Sequence, residues 1–355
     1  MPGERSMAAT LGVGRAALRP ILELLEQEGV LQRRPQSGTY LTAIPLPAVR
    51  CAHVCIIAPL QPVDQQRQGS ETGWIHHVIS AFERTAAPIG VKLTVLDQSP
   101  LASDPCSIID LVKRAAEMGA HAVVLLHALG SRHKIAHALA TASDLHMRPL
   151  VVSSRTYPGL ASQVYFDSAW GAYFAARHLL LCGHRSIGFA GAASGHEWVQ
   201  DRVKGYRAAL EAADVQIEGE WVCMAEEGER LPAREDGANA VRGWLDLPAD
   251  LRPTGVVAAN DIVALGVLEE CRANALSVPE QLSVIGFDND PEALIAGLTT
   301  IERPTEALGE AVARVTLDRL AAGSDAEAVT VRLRPVLIER QTVARHCAPG
   351  HCDKS

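Results

Sequence analysis

Arg15 and Arg19 stand one helical turn apart, beside Leu18, Ile21, Leu22 and Leu25 at i, i+3, i+4, i+7 spacing. That spacing predicts an amphipathic helix over about 15–28, ended by Gly29. Turning the apolar stripe to a core leaves both guanidiniums outside, where their forked donors suit guanine edges and phosphate oxygens. Arg15 and Arg19 also have a plainer reading as solvated helix charges. A second group, His346, Cys347, His351 and Cys352, has zinc-capable side chains. Its spacing matches no familiar zinc site, so a disordered tail over 344–355 is expected instead. No G-x-G-x-x-G follows a strand, there is no P-loop, and no Ser/His/Asp set can be assigned. Neither a cofactor, a metal nor an enzyme is therefore expected.

The elements that must carry these residues fall into two styles. Residues 5–11 read as a short helix, Gly12-Val13-Gly14 as a turn and 15–28 as the second helix. Two strand-like pieces around Leu31 and Tyr40 follow, joined by the turn-rich Arg34-Pro35-Gln36-Ser37-Gly38. Pro45 and Pro47 mark 43–50 as a linker. From Val54 onward, short apolar runs alternate with helical patterns, which predicts parallel sheets covered by helices on both faces. Two such rounds are expected. One lobe takes 51–154 plus a late crossover near 290–325; the other takes 164–288 plus one C-terminal strand, Val331–Glu339. Two lobes imply a cleft, and ligands of such sheets sit at the carboxyl ends of the strands.

Composition bounds the answer. Of 355 residues, 48% are hydrophobic and 21% charged, enough apolar matter for a sizeable core. The net charge is −8, yet residues 1–50 carry six Arg, no Lys and four Glu, a net +2 on a body of −10. A basic head on an acidic body is compatible with a nucleic-acid partner. Eight scattered Cys suggest no disulfide framework. No run of about 18 apolar residues and no signal-type apolar core is found, so a cytoplasmic location is expected.

The first block resembles the winged helix-turn-helix of the GntR family. The matching text is Pro2-Gly3-Glu4-Arg5, Met7-Ala8, Leu11-Gly12-Val13, Arg15, Leu18-Arg19, Leu24-Leu25-Glu26, Glu28-Gly29, and Arg33-Arg34-Pro35 through Gly38-Thr39-Tyr40. The resemblance implies that Arg5, Arg15 and Arg19 contact DNA and that Ser37, Gly38 and Thr39 form the wing tip. Family members carry a further helix before the P-x-E-R motif. Here Met1 stands at the start of that motif, so the first helix is expected to be missing from this sequence. Pro20 is a second departure, standing where a helix former is usual; an interior proline costs about 3 kcal/mol.

The remainder resembles the LacI/GalR effector domain, itself similar to periplasmic sugar-binding proteins. The matching text is Arg177-His178-Leu179, Gly183-His184-Arg185-Ser186-Ile187, Arg202 with Gly205-Tyr206, Ala259-Asn260-Asp261 with Ala264-Leu265-Gly266, and Val284-Ile285-Gly286-Phe287-Asp288. Leu298-Thr299-Thr300-Ile301 and Leu337-Ile338-Glu339-Arg340 complete it, over roughly 52–343. The resemblance implies effector contacts from Phe166 by stacking, Arg202 by donation, Asn260 by both, Asp288 by acceptance, and Trp74 at the cleft mouth. Ser154 stands before Arg155 where the family has a carboxylate, and Arg303 stands where a Gln is common. Each residue has a plainer reading: Asp288 a turn cap, Arg202 a surface helix charge, Asn260 a helix N-cap, Trp74 core or dimer interface.

The fold expected is α/β, a small winged helix-turn-helix domain (1–42), the linker (43–50) and a two-lobed periplasmic-binding-protein-like domain (51–343). The expected function is a ligand-responsive, DNA-binding transcriptional regulator, most simply a homodimeric repressor sensing a sugar or similar small polar metabolite. The alternative is a small-molecule sensor whose head no longer binds DNA.

Overall fold

The computed structural model describes residues 13–14, 18, 20–23, 31–34, 38–41, 52–60, 73–99, 106–128, 130–152, 156–191, 197–224, 234–322 and 327–346. Arg5, Arg15, Arg19, Ser37, Ser154, Cys347, His351 and Cys352 lie outside these residues. So do the expected first helix and the linker.

In the head, residues 20–23 are helical, and the Leu18 amide donates to Gly14 O at 3.1 Å. Strands β1 (Leu31–Arg34) and β2 (Gly38–Leu41) pair antiparallel, with Arg34 opposite Gly38 and Arg33 opposite Thr39. The hairpin expected from the sequence is therefore present, and Gly38 and Thr39 open its second strand. The apolar stripe is narrower than expected. Leu18 and Leu22 are buried, but Ile21 is 55% exposed. Leu18 and Leu22 are an i, i+4 pair facing one way, and Ile21 falls to the side of that line.

Among the described residues the body contains two six-stranded sheets. The first lobe runs β3 (His53–Ala58), α1 (Gly73–Ala86), β4 (Lys92–Asp97), α2 (Ile108–Glu117), β5 (Ala122–Leu126), α3 (Arg132–Asp144), β6 (Arg148–Val152) and β7 (Ser162–Phe166). The second runs α4 (Ser168–Leu181), β8 (Ile187–Ala190), α5 (Glu197–Glu211), β9 (Val222–Cys223), α6 (Arg234–Leu245), β10 (Gly255–Ala258), α7 (Asp261–Ala273), β11 (Ser283–Asp288), α8 (Pro291–Ile295) and β12 (Thr299–Glu302). The chain then returns to the first lobe as α9 (Thr305–Ala321) and β13 (Thr330–Leu333), and ends in the second as β14 (Val336–Ile338).

The first sheet has the order β13-β7-β6-β5-β3-β4 and is wholly parallel. The second has the order β14-β12-β11-β10-β8-β9, with only β14 antiparallel. Strand β3 is buried along its whole length, and β5 likewise, as sheets covered on both faces require. Each sheet accordingly has an apolar cluster on either face. Helix starts follow capping chemistry: Ser107, Ser131, Asp167 and Asn260 accept from the third residue on.

Two expected boundaries are corrected. The second lobe does not begin at 164, because Val164 is fully buried within β7, paired between β6 and β13 of the first sheet. The crossover likewise does not begin near 290. Strand β12 pairs with β11, and Leu298 and Ile301 fill the second lobe's core, so the return starts at Arg303. The single C-terminal strand is in fact two, β13 and β14, in different sheets. Pro335 separates them; a proline lacks the ladder donor and restricts the residue before it. Among the described residues three crossovers thus connect the lobes, at 167, 303–304 and 334–335.

Among the described residues, no helix is long and apolar enough to cross a membrane, and no group of His, Cys, Asp or Glu could hold a metal ion. His346, in the segment expected to be a disordered tail from 344 on, stacks on His184 with ring centroids 5.2 Å apart, so the ordered body extends at least to 346. His184 is buried between the Thr254 hydroxyl and Ala344 O, and burial lowers its pKa to about 4.

Candidate functional site

Five of the six expected effector residues fall at the carboxyl ends of strands or just beyond them. Phe166 ends β7, Asp288 ends β11, Asn260 follows β10, and Trp74 lies in the first turn of α1, the helix after β3. Arg202, on α5, reaches them from the helix after β8. Ser154 lies outside the described residues. Parallel strands end on the same side of their sheet, so side chains distant in sequence meet there.

On the first lobe the site is aromatic. Trp74 meets Phe166 edge-on, with centroids 6.4 Å apart, and His127 at 5.5 Å. Trp74 is 8% exposed and belongs to the first lobe's core, so its plainer reading as core is part of its role. On the second lobe the site is ionic. Arg202 is 3% exposed, which overturns its reading as a surface charge. It donates to Ala259 O and to Asp288 Oδ1, the latter at 3.2 Å. Its guanidinium lies 3.5 Å from the Phe287 ring centroid and 4.4 Å from that of Trp198. Burial lowers the Arg202 pKa to about 10, against the opposing pull of Asp288, so it stays charged at neutral pH.

Asp288 is also not simply a turn cap. Its Oδ1 is shared with Arg303, whose Nε lies 3.0 Å away as an ion pair without hydrogen-bond geometry. Asp288 sits at φ +123° and Asn289 at φ +59°, so the backbone holds this carboxylate in a conformation that L residues rarely adopt. Asn260 is indeed the N-cap of α7, accepting from the Val263 amide at 3.0 Å. Among the described residues its NH2 makes no hydrogen bond, which leaves two donors for a ligand.

The sequence reading did not select His127, Trp198 and Asp261, and noted Arg303 only as a departure. Each follows a strand end or lies in the first turn of the next helix, a signal available once strands are placed. Asp261 accepts from the Thr300 hydroxyl at 2.6 Å and the Asp290 amide at 2.8 Å. Burial, with the nearby Asp288 charge, raises its pKa to about 6. The whole arrangement can grip a small polar molecule: donors and acceptors from one lobe, apolar ring faces from the other.

Comparisons with known proteins match two parts of the chain. Residues 176–343 match the model of the periplasmic binding protein-like domain, and residues 1–41 match that of the gntR family of bacterial regulatory proteins. The HTH-type transcriptional repressor PurR of Pectobacterium carotovorum is 32% identical over 210 residues, 58% of this chain and 59% of that protein. PurR of Serratia proteamaculans is 27% identical over 332 residues, 79% of this chain and 95% of that one. In the Mannheimia succiniciproducens and Pectobacterium atrosepticum PurR proteins the match spans about half of their length, 52% and 51%. Among solved structures, a LacI-family regulatory protein from Chloroflexus aggregans superposes with TM-score 0.69 at 21% identity, covering 82% of this chain and 99% of that one. The transcriptional regulator CelR in complex with cellobiose superposes with TM-score 0.67 at 22% identity, covering 96% and 100%. The chain is thus a two-lobed, periplasmic-binding-protein-like α/β protein whose first 41 residues match the gntR family of bacterial regulators.

Proposed function

We propose that this chain is a ligand-responsive, DNA-binding transcriptional regulator, most simply a homodimeric repressor with no catalytic activity, working in the cytoplasm. The observation that carries the reading is the joining, in one chain, of a gntR-type segment to a two-lobed body whose cleft gathers Arg202, Asn260 and Asp288 against Trp74 and Phe166. The relatives named as repressors support the sign of regulation.

The head would read DNA with Arg15 and Arg19 in the major groove, with a further contact from Arg5, and with Ser37, Gly38 and Thr39 at the wing. Two heads on a dimer would meet a two-fold operator. The cleft would bind a sugar or similar small polar metabolite; cellobiose in CelR is one such occupant of a similar fold. Ligand binding would favour one arrangement of the lobes and shift the population of DNA-competent dimers. The three crossovers are the hinges for that motion.

A second reading, a sensor whose head does not bind DNA, is favoured by Pro20 and Ile21, both exposed on the head helix. Titration of the 355-residue protein with DNA from upstream of its own gene, across salt concentrations, separates the two. A regulator binds specifically, with a log–log salt slope equivalent to several phosphates. No specific binding at low salt overturns the regulator and leaves the sensor.

A further inference from the structure

Arg303 sits on the crossover from β12 to α9, between the ionic and the aromatic walls of the cleft. Its side chain is 15% exposed, yet among the described residues its five N–H groups make no hydrogen bond. The Arg303 guanidinium lies 5.2 Å from the Trp74 ring centroid and 5.7 Å from that of Phe166. Among the described residues its one ion-pair contact is Asp288 Oδ1, the same oxygen that Arg202 uses. Arg202, 4% exposed in its side chain, also has a buried Nε without an acceptor.

Two guanidiniums therefore share one carboxylate oxygen. The neighbouring carboxylates are occupied: Asp261 by Thr300 and the Asp290 amide, Glu302 by Asn289 Nδ2. Buried donors without acceptors are costly, and two close cations repel. The hydroxyls of a neutral sugar can accept from these guanidiniums only one bond at a time and bring no charge to the unpaired donors of Arg303. An oxyanion supplies both, because its paired oxygens match the guanidinium fork.

We propose that the cleft takes a small ring- or chain-bearing metabolite with an oxyanion, a carboxylate or phosphate, held by Arg303 and Arg202, while its apolar face lies on Trp74 and Phe166. This rests on the cleft being the effector site. Arg303 is then the specificity-determining residue, presenting an unpaired guanidinium fork on the crossover between the lobes.

The test follows thermal unfolding and intrinsic tryptophan emission of the full chain, since Trp74 lies beneath Arg303. Titrants are sodium phosphate, sodium D-gluconate and D-glucose 6-phosphate, against D-glucose and sodium chloride at matched ionic strength. At least one oxyanion is expected to give a saturable change at a tenfold lower concentration than D-glucose. Arg303→Gln is expected to raise that concentration at least tenfold, and Arg303→Lys, which keeps the charge without the fork, to raise it less. A response to gluconate alone assigns a carboxylate; a response to the two phosphates alone assigns a phosphate. Oxyanions acting no better than chloride, or equally on wild type and Arg303→Gln, overturn the proposal. A saturable response to D-glucose alone, lost in Arg202→Gln, also overturns it while the cleft remains a ligand site. The DNA titration above judges the regulator reading independently of all these outcomes.

Discussion

Arg202 and Arg303 approach one carboxylate oxygen, Asp288 Oδ1, at 3.2 and 3.0 Å, from elements more than a hundred positions apart in sequence. Arg202 belongs to the second lobe, and Arg303 to the strand of chain that leaves it. Asp288 therefore ties the second lobe's site to the segment of chain that leaves that lobe.

Asp288→Asn removes the carboxylate that, among the described residues, lies in ion-pair contact with both guanidiniums, while keeping the side-chain shape. Arg202 is left buried and charged with its direct ion pair broken. Breaking a buried pair in this way costs about 3–5 kcal/mol. Urea unfolding, monitored by far-ultraviolet circular dichroism, is expected to show a loss of this size. A loss below about 1 kcal/mol would mean that Asp288 contributes little to the fold.

Asp261 gives the body a pH dependence of defined sign. Its carboxyl titrates near 3.8 in an unfolded chain and near 6 in the folded one. The folded state thus holds this proton more tightly. The stability it contributes is complete below about pH 4 and is lost as the pH rises through about 6. A shift of this size corresponds to as much as about 3 kcal/mol. The stability difference between wild type and Asp261→Asn is expected to be more favourable to wild type at pH 4 than at pH 7. Denaturant midpoints of both proteins between pH 4 and 8 measure it, and parallel curves would contradict the assignment.

Gly205 sets the spacing of α4 and α5. A Cβ placed there would lie 1.9 Å from Ala169 O, a backbone atom that cannot move aside cheaply. Gly205→Ala is expected to destabilise the second lobe by about 1–3 kcal/mol, through forced separation of the two helices. Gly243, in α6, has nothing within 4 Å of an added Cβ. Gly243→Ala is expected to stabilise by roughly 0.5–1 kcal/mol, the ordinary gain for a helix interior. Thermal melts of the two variants should therefore move in opposite directions.

Much of the architecture is written locally. The run Val54–Ala58 is apolar at every position, which only a strand covered on both faces tolerates, and β3 is buried throughout. Ser107, Ser131, Asp167 and Asn260 mark helix starts by their own hydrogen-bonding chemistry. The turn-rich text around Gly38 specified a hairpin, and the pairing of Arg33 with Thr39 follows from its length.

What the sequence by itself could not decide is partnership across the sheets. Val164 and Val331 look alike as strand residues, and only their pairing within the first sheet shows that β7 and β13 belong there. Pro335 signals a break, but not that the chain changes lobes at it. Asp288 reads equally well as a turn residue and as an acceptor; its role depends on Arg202 and Arg303, brought up by α5 and by the crossover. Local chemistry acts over a few residues and is legible in order along the chain. The charge pairing of the cleft is a long-range balance, set by which strand ends the two sheets place side by side, and that balance exists only in the folded molecule.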